Sequence, residues 1–154
     1  MSEKGTKIVA KNKKAYHDYF VEEKFEAGIQ LHGTEVKSLR LGAVNLKESF
    51  CSIKNGELYA YGMHISPYEK GNIFNRDPMR PKKLLMHKKE INRLYGKVKQ
   101  QGYAIVPLSI YFKNSLAKIE IGLCRGKKLH DKRDSLAQRD AQKEIQRNIK
   151  QLAR

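Results

Sequence analysis

The sequence predicts a mainly β fold: a small antiparallel barrel with two or three short α-helices and a basic C-terminal tail. Three observations carry this. Apolar and polar residues alternate over strand-length runs, as in Phe25, Ala27, Ile29 and Leu31 against Lys24, Glu26, Gly28 and Gln30. Two apolar, aromatic runs between Phe50 and Ile65 are joined by Asn55-Gly56, the pair that best tolerates the positive φ angles of a type I′ hairpin turn. From Arg125 onward aromatic residues and prolines vanish, and ten basic residues stand against four acidic ones.

Taken in order, Met1 to Lys14 is rich in lysine and poor in apolar residues, which reads as a mobile arm able to touch phosphate. Ala15, Tyr16, Tyr19 and Phe20 share a face of a short, weakly specified helix. The alternation from Glu22 to His32 is a half-buried strand with Glu26 on its polar side. Gly33 breaks that strand, Thr34 can cap a helix carrying Val36 and Leu39, and Gly42 supplies a left-handed stop. After the Asn55-Gly56 hairpin, Ser66 to Lys83 is a long, basic, turn-rich loop punctuated by Pro67, Gly71, Pro78 and Pro81.

A brief strand at Lys83 to Met86 leads to Ile91, Leu94, Tyr95 and Val98, the i, i+3, i+4, i+7 stripe of a helix closed by Gly102. Tyr103 to Phe112 and Leu116 to Cys124 pair as a hairpin across Lys113-Asn114-Ser115, with Pro107 marking an edge or a bulge. Strands that return by hairpins favour closure into an OB-like barrel, with split sandwiches and other α+β meanders as alternatives. At 154 residues the chain divides into a barrel with its basic arm, 1–124, and a tail, 125–154.

The tail carries only a thin apolar stripe, Leu136, Ala141, Ile145, Ile149 and Leu152, surrounded by basic residues. It is expected to be disordered when free and helical when it meets RNA. The competing reading docks it as a helix on its own barrel.

With 32 Lys and Arg against 16 Asp and Glu, the formal charge is +16, which suits a polyanionic partner and above all nucleic acid. No apolar run is long enough to span a membrane, and MSEKGTK does not resemble a secretory signal, so a reducing cytoplasm is expected. Cys51 and Cys124 stand far apart without ligand-spaced neighbours and read as buried free thiols, with no metal site.

No phosphate-binding glycine loop, hydrolase elbow or zincin helix occurs, so binding is favoured over catalysis. Lys11, Lys13, Lys14, Arg76, Arg80, Lys82, Lys83, Lys88 and Lys89 can neutralise phosphates, and Tyr16, Tyr19, Tyr68 and Phe74 offer stacking surfaces. His17, His32, His64, His87 and His130 are scattered singly, and stacking on a base suits such an imidazole better than general-base work. Tyr59, Tyr61 and Tyr111, inside expected strands, read as core rings with rim hydroxyls.

The runs YFVEEKFEAGIQLHGTEVKSLR, RPKKLLMHKKEINRLYGKV, GYAIVPLSIYFKN and GKKLHDKR resemble successive segments of the SmpB family and span nearly the whole chain. The resemblance implies an OB-like barrel that grips the tRNA-like domain of tmRNA and needs no cofactor. It further implies entry into a stalled ribosome, where the tail probes the empty mRNA channel and the decoding centre so that trans-translation follows. Elongation factor Tu would be an indirect partner, and the free protein is expected to be monomeric.

On the family's pattern Glu26, Leu85 and His87 occupy positions associated with tmRNA contact, and the chain's own basic residues Lys11, Lys13, Lys14, Arg76, Arg80, Lys82 and Lys83, with His17, are expected to join them on the RNA. Other members can carry Asn at the position of His87. Glu26 could accept from a base or ribose, or orient a lysine. In the tail, Gly126 is implied as a hinge; Lys127, Lys128, Lys132 and Arg133 as phosphate partners; His130, beside Asp131, as a stacking ring; and Ile149 as part of the distal segment. Three rivals were open to the residues alone. They are an rRNA-binding protein of similar charge, a small nuclease using His130 or His87, and a membrane- or heparin-binding module.

Overall fold

The computed structural model describes residues 6–71, 73, 75–99 and 103–127. In chain order the elements are β1 (Thr6–Lys11), α1 (Lys13–Asp18), β2 (Tyr19–Ile29), α2 (Gly33–Arg40), β3 (Val44–Asn45) and β4 (Phe50–Lys54). They continue as β5 (Glu57–Tyr61), β6 (His64–Ile65), β7 (Lys82–Leu85), α3 (Lys88–Val98), β8 (Tyr103–Lys113) and β9 (Leu116–Gly126).

The main sheet runs β1-β8-β4-β5-β7-β2-β9, and a further pairing joins β9 back to β8. Six strands therefore form a closed antiparallel ring, β8-β4-β5-β7-β2-β9, with β1 laid along β8. This is the expected OB-like arrangement, and closure leaves few strand edges unpaired. Leu58, Ala60, Met63, Ile119 and Ile121, each 0% exposed, fill its centre. A smaller apolar cluster, Ala15, Val106, Leu108 and Cys124, sits under α1.

The hairpin at Asn55-Gly56 forms as expected, with φ of 52° and 74° and Lys54 opposite Glu57. The β8–β9 turn is tighter than expected: Lys113 pairs with Leu116, so only Asn114 and Ser115 lie in the loop, at φ 50° and 69°. A register shift between Pro107 and Ser109 makes Pro107 part of a bulge, the place where its missing N–H does least damage.

Four expectations are corrected. The N-terminal arm is structured from Thr6: β1 pairs with β8 from Thr6↔Lys113 to Lys11↔Ser109. Its anchor is buried Asn12, whose Nδ2 donates to the carbonyls of Leu46 (3.1 Å) and Pro107 (2.9 Å) while its Oδ1 accepts from the Ala15 N–H (3.2 Å). One short polar side chain thus caps α1 and ties it to the segment after β3 and to β8, which composition could not reveal.

Second, α1 ends at Asp18 and Tyr19 already belongs to β2. Third, His32 rather than Thr34 occupies the N-cap of α2, with Glu35 Oε1 accepting from the His32 N–H at 2.9 Å. Fourth, the boundary expected at 124/125 falls inside β9. Arg125 and Gly126 pair with Phe20 and Tyr19, and the Lys127 N–H donates to the Asp18 carbonyl at 2.9 Å. Gly126 is therefore the last paired residue of β9. Gly102, Phe74 and everything expected of residues 128–154 lie outside the described residues.

Candidate nucleic-acid interface

Strand alternation builds the site. On β2, Ala27 and Ile29 are buried, which turns Glu26 and Gly28 outward; on β7, Lys82 and Leu84 point in, which turns Lys83 and Leu85 outward. The two strands meet with Gly28 opposite Leu85. With no side chain at Gly28, Leu85 lies across bare backbone and remains 53% exposed.

His87 follows as the N-cap of α3, its carbonyl accepting from the Glu90 and Ile91 N–H groups at 3.0 Å each. Glu26, Gly28, Lys83, Leu85, His87 and Lys118 consequently line one cleft of about 460 Å³. Glu26 also borders an adjoining groove of about 490 Å³ lined by Lys11, Tyr16, Lys24, Tyr111 and Lys113.

Glu26 is held in place. The Tyr111 hydroxyl donates to its Oε2, and Lys113 Nζ lies 3.7 Å from the same oxygen. Across the cleft Glu57 receives Lys88 at 2.8 Å and Lys83 at 3.5 Å. The hydrogen bond from Lys88, with the Lys83 charge adding to it, holds the Glu57 carboxyl below its usual range. The arrangement offers fixed carboxylates and an exposed apolar side chain amid ammonium groups. That suits a polyanion with hydrogen-bonding edges, because cations secure phosphates while carboxylates select donors.

The sequence pattern of the SmpB protein family matches residues 9–151. The chain belongs to the SmpB family. It is 60% identical over 158 residues to the SsrA-binding protein of Caldicellulosiruptor bescii, covering 100% of both chains. It is 59% identical over 150 residues to the SsrA-binding protein of Lachnoclostridium phytofermentans, covering 97% of each. A solved chain from "tmRNA-SmpB: a journey to the center of the bacterial ribosome" is 50% identical, with a TM-score of 0.68 over 82% of this chain and 93% of that one.

The SmpB-like positions do not all behave as expected. Glu26, Leu85, His87 and Lys83 come together, and Lys11 adjoins them through the second groove. Lys13 is exposed on α1. Lys14 is engaged by Glu48 at 2.7 Å, and His17 by the neighbouring Asp18 at 3.0 Å. Arg76 lines a separate depression with Lys37, Tyr68 and Lys70.

Two expected phosphate ligands are corrected. Lys82 is 0% exposed, its ammonium donating to the carbonyls of Met63 (2.7 Å) and Pro78 (3.0 Å), and burial pulls its pKa down to about 8. The strand begins one residue earlier than expected, at Lys82, which therefore alternates onto the same inward face as Leu84. Arg80 places Nη2 2.6 Å and Nε 3.3 Å from the two oxygens of Glu35, which is itself buried at 5% exposure. It neutralises a carboxylate inside the protein.

Of the tail positions, Gly126 and Lys127 are described. Lys127 Nζ lies 4.9 Å from the centre of the Phe20 ring. Lys128, His130, Asp131, Lys132, Arg133 and Ile149 lie outside the described residues.

Lys24, Tyr111, Lys113 and Lys118 were not anticipated at the site. Their signal was the alternation along β2, β8 and β9, but pairing was needed to use it: Lys118 stands opposite both Gly28 and Tyr111. Among the described residues no group of His, Cys, Asp and Glu could hold a metal ion, and no helix is long and apolar enough to cross a membrane.

Proposed function

We propose that this protein binds the tRNA-like domain of tmRNA and carries it to stalled ribosomes for trans-translation. The observation that carries the reading is the convergence of Glu26, Leu85 and His87 on one cleft bordered by Lys83 and Lys118, in a chain of the SmpB family. The cleft grips RNA through phosphate-directed lysines, with Glu26 accepting from a base or ribose donor. The segment beyond Lys127 enters the empty mRNA channel and reports on the decoding centre. Elongation factor Tu acts alongside through the RNA.

The protein works by binding rather than by catalysis, without a cofactor, as a monomer in the bacterial cytoplasm. Support comes from the names of its relatives, SsrA-binding proteins, and from the ribosomal setting of the similar solved chain.

Titrating the protein with the tRNA-like domain and with an unrelated hairpin RNA across a salt series tests the reading. Selective binding of the first, with an affinity that falls as salt rises, is the expected result. Equal binding of both RNAs would overturn it.

A further inference from the structure

The outer face of the β4–β5 hairpin carries rings that neither the core nor the cleft uses. Leu58 and Ala60 are 0% exposed, so alternation turns Glu57, Tyr59 and Tyr61 outward. The expectation that Tyr59 and Tyr61 pack in the core is thereby corrected. Across the hairpin Tyr61 stands opposite Phe50, and Tyr59 opposite Ser52.

Phe50, 52% exposed, stacks on Tyr61 with centroids 5.5 Å apart and planes within 18°. Tyr59 tilts against Tyr61 at 6.4 Å, and Lys54 Nζ lies 5.0 Å from the centre of the Tyr61 ring. On its other side Tyr59 pairs with Lys83, which lines the cleft. A continuous outward row, Phe50, Tyr61, Tyr59, Lys83, therefore leads from an exposed stacked pair into the candidate RNA site.

Rings held open on a sheet and flanked by cations match the way single-stranded nucleic acid is bound: every base has a π face, and nearby lysines meet its phosphates. Lys54, Lys83 and Lys88 flank the row, and the last two share the single carboxylate of Glu57. That surplus of positive charge favours a polyanion over an apolar protein segment, which would leave the ammonium groups facing an uncharged partner.

We propose that Phe50 and Tyr61 form a platform on which an unpaired base of the bound RNA stacks, with Lys54 meeting its phosphate. The identity of that RNA rests on the function proposed above; the chemistry of the platform does not.

The chain contains no tryptophan, so Tyr61→Trp introduces a single indole at the platform. Two titrations follow its fluorescence, one with the tRNA-like domain and one with an unstructured RNA oligonucleotide. Phe50→Leu/Tyr61→Leu, which keeps apolar bulk and removes stacking, is compared with the unmodified chain in the same RNA titrations, after thermal melting has verified folding.

The expected result is quenching by RNA, about a tenfold loss of affinity in the double leucine variant, and an unchanged salt slope because no phosphate contact is removed. Selective binding of the tRNA-like domain with no quenching and equal affinity in the double variant would overturn the platform while leaving the proposed function intact, and would assign the rings to a protein partner. Quenching by the oligonucleotide without selectivity for the tRNA-like domain would uphold the platform and overturn the proposed function. If the double variant fails to fold, absence of quenching in Tyr61→Trp by either RNA overturns the platform by itself.

Discussion

Gly28 stands directly across from Leu85 where β2 meets β7, and a β-carbon added to Gly28 would lie 3.2 Å from the Leu85 β-carbon. That separation is closer than packed β-carbons normally approach, so the bare backbone at Gly28 is what lets Leu85 lie flat across the cleft floor. Gly28→Ala is expected to push the strands apart by a few tenths of an ångström, costing about 1 kcal/mol of stability. Its larger effect falls on RNA affinity, reduced several-fold because Leu85 is displaced. Urea denaturation and RNA titration of the same preparation measure the two separately.

Glu26 and Tyr111 act as a unit, since the phenol donates to the carboxylate that Lys113 also approaches. Glu26→Ala and Tyr111→Phe should each weaken binding of the tRNA-like domain. The double variant should lose less than the sum, with a coupling of about 1 kcal/mol, as residues sharing one hydrogen-bonded network do. Strict additivity in the double-mutant cycle would show that the two act independently.

Arg80 is expected to matter for stability more than for RNA. Its removal strands the buried carboxylate of Glu35, and Arg80→Ala should destabilise the fold by about 2 kcal/mol, less than for a fully buried pair because the guanidinium is partly exposed. The RNA salt slope should stay unchanged. A lower slope with unaltered unfolding would return Arg80 to the phosphate contacts.

Lys82 makes the stability pH-dependent. Burial lowers its folded pKa to about 8 from 10.5, so between those values the unfolded chain binds more protons than the folded one. Stability from this group therefore rises with pH across that window and is lowest below about pH 8, where both states are protonated. Lys82→Met removes the titration and also takes the ammonium donor from the Met63 carbonyl, while the Pro78 carbonyl keeps the Ile65 N–H. The variant should be less stable by about 2–3 kcal/mol near pH 9, with a smaller deficit near pH 7.5. A deficit that does not change with pH would show that Lys82 does not titrate there.

Truncation after Lys127 should preserve melting temperature and binding of the tRNA-like domain while abolishing tagging on stalled ribosomes. Truncation after Cys124 should lower the melting temperature as well, because it deletes the pairing of Arg125 and Gly126 with Phe20 and Tyr19. Equal melting of the two truncated chains would show that those rungs contribute nothing.

The sequence by itself determined the mainly β character, the Asn55-Gly56 hairpin, the restriction of Pro107 to an edge or a bulge, the basic character and the resemblance to the family, while closure of the sheet waited on strand pairing. Each of these follows from local rules: period-two alternation, positive-φ tolerance, the missing proline N–H, and charge that depends on composition alone. The motif positions Glu26, Leu85 and His87 were legible too, as residues of recognisable runs.

Only the tertiary structure decided which lysines and arginines face solvent. Lys82 and Lys83 are neighbours of like chemistry, yet alternation along β7 sends the first into the core beside Leu84 and the second to the cleft. Arg80 was spent on a carboxylate 45 residues away, and the arm was fixed by an asparagine whose partners lie 34 and 95 residues distant. Strand register and long-range hydrogen bonds couple residues far apart in sequence, and no local pattern records such a pairing.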